Sequence, residues 1–455
     1  MNRRTISRRQ AIEMFCGWTG SLGLSWLFGA ENARAATRGH YKGPTLPAPA
    51  KHVIVLFMQG GPSQIDMFDP KPALAGYQGQ RPAAVDLRTE RTTGGLLPSP
   101  FEFKKHGQSG IEVSSLLPQL GTVADELCVI RSMYTFNPTH TPGVNLFHCG
   151  TVLATRPSAG AWVSYGLGSE NENMPSFVVM GSGLGAGVSS QAGFLPSEFQ
   201  GAPFNSSGEK PEDVIPNLRN KWFDADTQRR VLDQIQVGNR EFGDAFGSDS
   251  FLEGRLESLE AAFRLQWEAS DVVDLEQEPE SIRAEYGSSP YARSCLMARR
   301  LVEKGVRYVH INYGGWDDHL DIDRKLIQRC PDMDQATAAL IRDLKRRGKL
   351  DETLIVWGGE FGRTPVSESG TGRDHDPYGF TVVLAGGGIK GGLVYGATDE
   401  FGFKAVQNRV SIHDLHATML NRLGMDHTKL TYQYAGRDFR LTDVYGEVVK
   451  DILNS

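Results

Sequence analysis

Six short, mostly apolar runs constrain this chain more than any other feature. They lie at residues 52–58, 128–133, 177–180, 306–311, 353–357 and 381–385. A run without polar alternation is the pattern of a strand covered on both faces, as in parallel sheets. Between the runs, helical spacing is visible over 114–127, 142–150, 333–347 and 411–423. Strands alternating with helices predict an α/β domain over 51–455, with a mostly parallel central sheet flanked by helices on both faces. Residues 222–303 are mostly helical in pattern, with Leu252, Leu256, Leu259 and Phe263 in phase, and read as a helical insert or lid. Residues 76–112 and 182–222 are polar or rich in glycine and read as loops.

The first 35 residues have a different character. Arg3-Arg4 and Ser7-Arg8-Arg9 precede an apolar stretch over 14–30, and Ala33-Arg34-Ala35 offers a small-x-small cleavage site. This is the pattern of an export signal of the twin-arginine type, which addresses the protein to the periplasm or cell envelope. The apolar stretch is shorter than the ~20 residues a spanning helix needs, so no permanent membrane span is expected in the mature chain. A Pro-rich linker follows over 36–50. Removing five Arg and two Glu from the chain's 48 basic and 54 acidic residues leaves a net charge of −9. An acidic chain without a Lys/Arg run is a poor nucleic-acid binder. Cys128, Cys149, Cys295 and Cys330 show no C-x-x-C spacing, which excludes a zinc ribbon or a thioredoxin-like motif.

The chemistry collects where the runs end. In open α/β sheets ligands bind beyond the carboxyl ends of strands. The 52–58 run ends in Gln59-Gly60-Gly61-Pro62-Ser63, the 306–311 run in Asn312-Tyr313-Gly314-Gly315-Trp316-Asp317-Asp318-His319, and the 353–357 run in Gly358-Gly359-Glu360-Phe361-Gly362-Arg363. A loop then carries Gly372-Arg373-Asp374-His375. After the 128–133 run, Thr139-His140-Thr141-Pro142 leads into the helix ending at Gly150. Pro142 suits a first helical turn and Gly150 a helix end, so His140 and Thr141 fall at a helix N-terminus, where free N–H groups favour an anion. Asp317, His319 and His375 are the ligand types of zinc or a similar divalent ion with an open position, and Asp318 is the rival of Asp317. Arg131, Arg363 and Arg373 are candidate clamps for an anionic substrate; a surface or pairing role is the alternative for each. His148 reads as a packed or hydrogen-bonded histidine; His413 and His416 share a helix face and read as structural, with a ligand role as the alternative. Asp66 and Asp69 read as carboxylates on a helix surface.

Taken together, Gly60-Gly61-Pro62-Ser63, Gly315-Trp316-Asp317-Asp318-His319, Gly358-Gly359-Glu360-Phe361-Gly362-Arg363-Thr364-Pro365 and Gly372-Arg373-Asp374-His375 resemble an uncharacterised exported family, domain of unknown function 1501. The order of motifs is similar to that of the alkaline phosphatase/sulfatase superfamily. The resemblance implies one metal site at Asp317, His319 and His375, and an altered second site. There Gln59 and Glu360 stand where Asp residues are usual, and Phe361 where a His is usual. His140 falls at the nucleophile position. A sulfatase Cys-x-Pro-x-Arg pattern would need Cys at 140 and Arg at 144, where the chain has His140 and Val144, so formylglycine chemistry is not expected. Three roles fit His140: a nucleophile forming a phosphohistidine, a ligand of the second site with water, Thr139 or Thr141 attacking, or part of a site that only binds an anion. The implied function is an exported hydrolase or transferase acting on phosphate-type esters, less so sulfate esters. Its expected cofactor is a divalent metal, zinc first, with manganese or calcium as alternatives. A non-catalytic cell-envelope binding or assembly protein on the same scaffold is the second reading.

Overall fold

The computed structural model describes residues 43–82, 89–181, 183, 186–215, 218, 223–246, 263, 266 and 268–454. The expected export signal lies outside them. The first strand, β1 (His52–Met58), is buried at every position. Its successive side chains point to opposite faces. Ile54, Leu56 and Met58 enter one core, and Val53, Val55 and Phe57 enter another. Two apolar cores, one on each face, are the reason the run has no polar alternation.

The other sheet strands, in chain order, are β2 (Leu127–Tyr134), β3 (Phe177–Gly181), β4 (Ala202–Phe204), β5 (Tyr308–Tyr313) and β6 (Thr353–Gly358). After an outlying hairpin, β7 (Gly362–Glu368) and β8 (Gly372–Asp376), come β9 (Phe380–Ala385), β10 (Leu393–Tyr395) and β11 (Val410–Ser411). Among the described residues nine strands form one sheet in the order β10-β2-β9-β6-β1-β5-β3-β4, with β11 also on β2. β1 runs parallel to β5 and β6, and β3 parallel to β5 and β4. β9 alone among them runs antiparallel, to both β2 and β6. The sheet is therefore mostly parallel, as expected, with one reversal.

Helices cover both faces. α1 (His140–Cys149) and α4 (Ile412–Arg422) supply Val144, Phe147, Leu415 and Met419 to one core. α2 (Pro290–Glu303) and α3 (Ile322–Arg346) supply Tyr291, Cys295, Met333 and Leu340 to the other. α1 ends where Gly150 takes a φ of +65°. α4 begins in a capping box: the Ser411 hydroxyl accepts from Asp414 N while the Asp414 carboxylate accepts from Ser411 N, which satisfies two end groups at once.

Four expectations are corrected. Residues 114–127 are not one helix. Ile111–Ser114 pairs with Phe103–His106 in a hairpin, inside the region expected to be loop, and only single turns follow at Pro118–Gly121 and Ala124–Glu126. Gly121 and the β-branched Thr122 and Val123 are poor helix formers. The loop expected to carry His375 is strand β8, with His375 opposite Arg363. Of the expected 222–303 helical insert, Ala225–Phe246 is a helix, and α2 packs on the sheet as part of the core. Asp66 and Asp69 are fully buried rather than on a helix surface. Among the described residues, Cys128, Cys149, Cys295 and Cys330 are free and buried. Among the described residues no helix is long and apolar enough to cross a membrane.

Candidate metal centre

The carboxyl ends of β1, β5 and β6 lie side by side, and their Gly-rich turns pack against one another. Gly60 has a φ of +116°, and a Cβ there would lie 2.5 Å from Asp317 N and 2.7 Å from the Trp316 carbonyl carbon. Only glycine lets the two turns approach this closely. The contact fixes the backbone of Asp317, whose carboxylate is the hub of the cluster.

Three imidazoles face that carboxylate through Nε2. Asp317 Oδ1 is 2.8 Å from His319 Nε2 and 3.0 Å from His375 Nε2, and Oδ2 is 3.2 Å from His140 Nε2. His319 follows Asp317 in the same turn, His375 arrives on β8, and His140 opens α1. The ligand atoms of His140, Asp317 and His375 lie within 4.8 Å of one another, as do those of His319, Asp374 and His375. A tetrahedral zinc with ligands at ~2.0–2.2 Å holds them roughly 3.4 Å apart. The contacts to Asp317 are slightly shorter than that. Nε2 of His140 and Nε2 of His319 are buried without a hydrogen-bond partner, although both sit beside Asp317. His375 Nε2 is hydrogen-bonded to Asp317 Oδ1, and three imidazole nitrogens gathered round one carboxylate are a donor set that a divalent cation fits.

The electrostatics agree with a concentrated polar site. Burial works against charge on Asp317, but the three imidazoles and the Arg363 guanidinium hold its carboxyl far below the usual range. Burial also opposes charging of His140, yet its contacts with Asp317 and Glu360 lift it to about 9. Burial lowers His375.

The remaining expected residues divide. Asp318 is turned away: it is buried and paired with Arg329 at 2.8 Å and Lys325 at 3.6 Å, which leaves Asp317 as the candidate of the two. Glu360 is corrected from ligand to support, because both its oxygens accept from Gly60 N and Oε1 is 2.7 Å from His140 Nδ1. Gln59 lies at the edge of the site with Oε1 buried and unpartnered. Thr139 and Thr141 flank His140 and are exposed; among the described residues neither hydroxyl is hydrogen-bonded.

The two clamp arginines are corrected as well. Arg363 and Arg373 are fully buried. Arg363 donates to the carbonyls of Gly61 and Trp316 and to Asp317 Oδ1 at 2.6 Å, so it locks the turns together. Arg373 grips Asp66 through Nε at 2.8 Å and Nη2 at 3.2 Å. Arg131 leans on Asp69 at 3.7 Å. Neither Arg363 nor Arg373 presents a free guanidinium to a substrate, whereas Nε and Nη2 of Arg131 are buried without a hydrogen-bond partner. His413 and His416 are structural, bonded to the carbonyls of Gly150 and Phe147, and His148 is packed among Phe57, Phe147 and His310. Phe361 forms an apolar wall, with its ring centroid 5.0 Å from that of His140 and 4.5 Å from that of His375.

Sequence reading missed Glu90, Arg91 and Glu368. Glu90 Oε2 is 2.5 Å from His375 Nδ1, and Glu368 hydrogen-bonds to His319 Nδ1. Arg91 is more than half exposed beside them. Glu368 had a usable signal, since Ser369-Gly370 is a turn that folds the two motif segments into a hairpin. Glu90 had none, because it sits in a polar stretch without periodicity.

Residues 50–453 match the family described as "Protein of unknown function (DUF1501)". The chain belongs to this family. No match was found among curated proteins. Solved structures similar to this DUF1501 chain include the lipoteichoic acid synthase LtaP from Listeria monocytogenes, at 9% identity and a TM-score of 0.38, covering 90% of this chain and 80% of that one. The PsFucS1 sulfatase from Pseudoalteromonas sp. is similar at 14% identity and a TM-score of 0.33, covering 95% and 78%. The alkaline phosphatase from the Antarctic bacterium TAB5 is similar at 11% identity and a TM-score of 0.30, covering 76% and 92%.

Proposed function

We propose that this chain is an exported, metal-dependent hydrolase or transferase acting on phosphate-type esters. The observation that carries the reading is the convergence of His140, His319 and His375 on the Asp317 carboxylate at the carboxyl edge of the sheet. Asp317, His319 and His375 would hold the metal, zinc first and manganese or calcium otherwise. A bound divalent ion supplies polarisation of an ester oxygen or a lowered pKa for water. His140, held between Glu360 and Asp317, presents Nε2 to the same space as nucleophile or as the group that moves a proton. The α1 N-terminus adds backbone donors for an anion. Phe361 excludes water from one side. The motif order shared with the alkaline phosphatase/sulfatase superfamily supports an ester substrate. Export is proposed on the paired arginines and the apolar stretch of the first 35 residues.

The test is turnover of aryl phosphate, phosphodiester and aryl sulfate substrates with zinc, manganese and calcium, using His140→Ala as control. The expected result is turnover of a phosphate substrate that His140→Ala abolishes, with metal binding lost in His319→Ala and His375→Ala. A purified wild-type protein that takes up neither zinc nor manganese contradicts the proposal. Export is tested by replacing Arg8 and Arg9 with Lys, which should leave the protein in the cytoplasm.

A second reading is a non-catalytic cell-envelope binding or assembly protein. It is favoured by Phe361, which fills with an apolar ring the place where the resemblance expects a ligand, and by the burial of both clamp arginines. Anion binding without turnover of any of the three substrates supports it.

A further inference from the structure

Each imidazole that faces Asp317 has a glutamate behind it. Nδ1 of His140 is 2.7 Å from Glu360 Oε1, Nδ1 of His375 is 2.5 Å from Glu90 Oε2, and Nδ1 of His319 hydrogen-bonds to Glu368 Oε2. His375 Nδ1 is also 2.6 Å from the Pro138 carbonyl oxygen. In every case the outer nitrogen meets an acceptor and the inner one meets the hub. An acceptor at Nδ1 fixes the proton there, so the lone pair of the neutral ring sits on Nε2 and the ring cannot swing.

Two of these glutamates come from one local assembly. Residues 94–97 run along β7 as an added edge, with Gly94 N donating to Ser367 O at 2.7 Å, Ser367 N to Gly95 O at 2.8 Å and Leu97 N to Pro365 O at 2.8 Å. That pairing brings Glu90 and Arg91 over the hairpin. Arg91 N donates to Asp374 Oδ2 at 2.8 Å, and its guanidinium reaches Glu368 Oε1 at 3.3 Å. One residue of the segment thus touches His375 directly, and the next touches the carboxylate that holds His319.

We infer that Glu90 and Glu368, linked through Arg91, are positioning residues for the metal-ligating histidines, and that residues 89–97 form a strap that completes the centre. The inference rests on the metal reading given under Proposed function. It assigns the strap a task that does not require it to touch substrate: with the Pro138 carbonyl oxygen bonded to His375 Nδ1, Glu90 adds a negative charge behind that ring, while Arg91 and Glu368 hold the His319 ring in place. Partners of this kind typically change metal affinity 10–100-fold when removed.

The experiment uses the purified full-length chain. Zinc affinity is measured by competition with a chromogenic chelator for wild type, Glu90→Ala, Glu90→Gln, Glu368→Gln and Arg91→Ala, and the melting midpoint of each metal-free protein is recorded. Glu90→Ala should bind zinc about 10–100-fold more weakly while the metal-free midpoint stays at the wild-type value, because that carboxylate is a third exposed. Glu368→Gln should lose less than Glu90→Ala, since an amide oxygen still accepts the His319 Nδ1 proton, and Glu90→Gln, which removes only the charge behind His375, should match Glu90→Ala. Arg91→Ala should fall between wild type and Glu90→Ala. Wild-type zinc uptake with unchanged affinity in Glu90→Ala overturns the positioning role and leaves the metal reading standing. Absence of zinc and manganese uptake by the wild type overturns both.

Discussion

Replacing Arg373 separates a substrate clamp from a buried structural cation. The guanidinium and the Asp66 carboxylate are both fully buried. Two nitrogens of Arg373 bind the two oxygens of Asp66, a third donates to Thr364 O at 3.1 Å, and the Ser63 hydroxyl donates to Asp66 Oδ2 at 2.5 Å. Arg373→Met removes the charge and strands a carboxylate with one hydroxyl as side-chain partner. Breaking one side of a buried pair costs about 3–5 kcal/mol. With a urea m-value near the upper end of the ~1–3 kcal/mol per M range, the denaturation midpoint should fall by roughly 1–1.7 M. Removing both charges in Arg373→Met with Asp66→Leu leaves no orphan, and most of the loss should be recovered. The assay is urea unfolding followed by tryptophan fluorescence, in parallel with inorganic phosphate binding to each folded variant. A single variant that keeps its midpoint within ~0.3 M of wild type and instead loses phosphate binding would refute the buried-pair argument and restore the clamp.

Other outcomes follow from the same geometry. Burial pushes His310 and His416 down to about 3, below their unfolded value of 6.5, so the unfolded chain takes up protons that the folded chain refuses. Stability should be full above pH 6.5 and fall as pH drops towards 3, by about 1.4 kcal/mol per pH unit for each ring. His310→Phe should flatten the dependence of the urea midpoint between pH 6.5 and 4.5, and an unchanged slope contradicts it. Gly60→Ala should abolish metal binding and destabilise the fold by at least ~1–3 kcal/mol, because the added methyl meets Asp317 N in a backbone conformation that disfavours it. Gly314→Ala, in the turn that carries Asp317 but with nothing within 4 Å of its Cβ, should stay within ~0.5 kcal/mol of wild type. Unfolding curves and zinc stoichiometry on the two alanine variants check both statements.

What the amino-acid order determined by itself is the sheet and its working edge. An apolar run such as residues 52–58 is a statement about burial on both faces, and burial on both faces allows few architectures. Gly60 and Gly315 marked where the chain turns, so Asp317 and His319 could be placed at a strand end without coordinates. His375 could be joined to them through the motif order, although its loop proved to be a strand. The tertiary structure decided what each polar residue faces. Arg363 and Arg373 looked like clamps because a sequence shows a charge and not its neighbour, and the neighbours are backbone carbonyls, Asp317 and Asp66. Asp317 and Asp318 were rivals because adjacent residues in a turn point in different directions that only the packed backbone fixes. Glu360 read as a ligand until α1 set His140 against it. Glu90 was invisible because its partner is brought to it by edge pairing along β7, a contact between segments with no shared pattern. Local sequence governs secondary structure and burial, whereas the inward and outward nitrogens of three histidines are settled by which distant chain packs behind each ring.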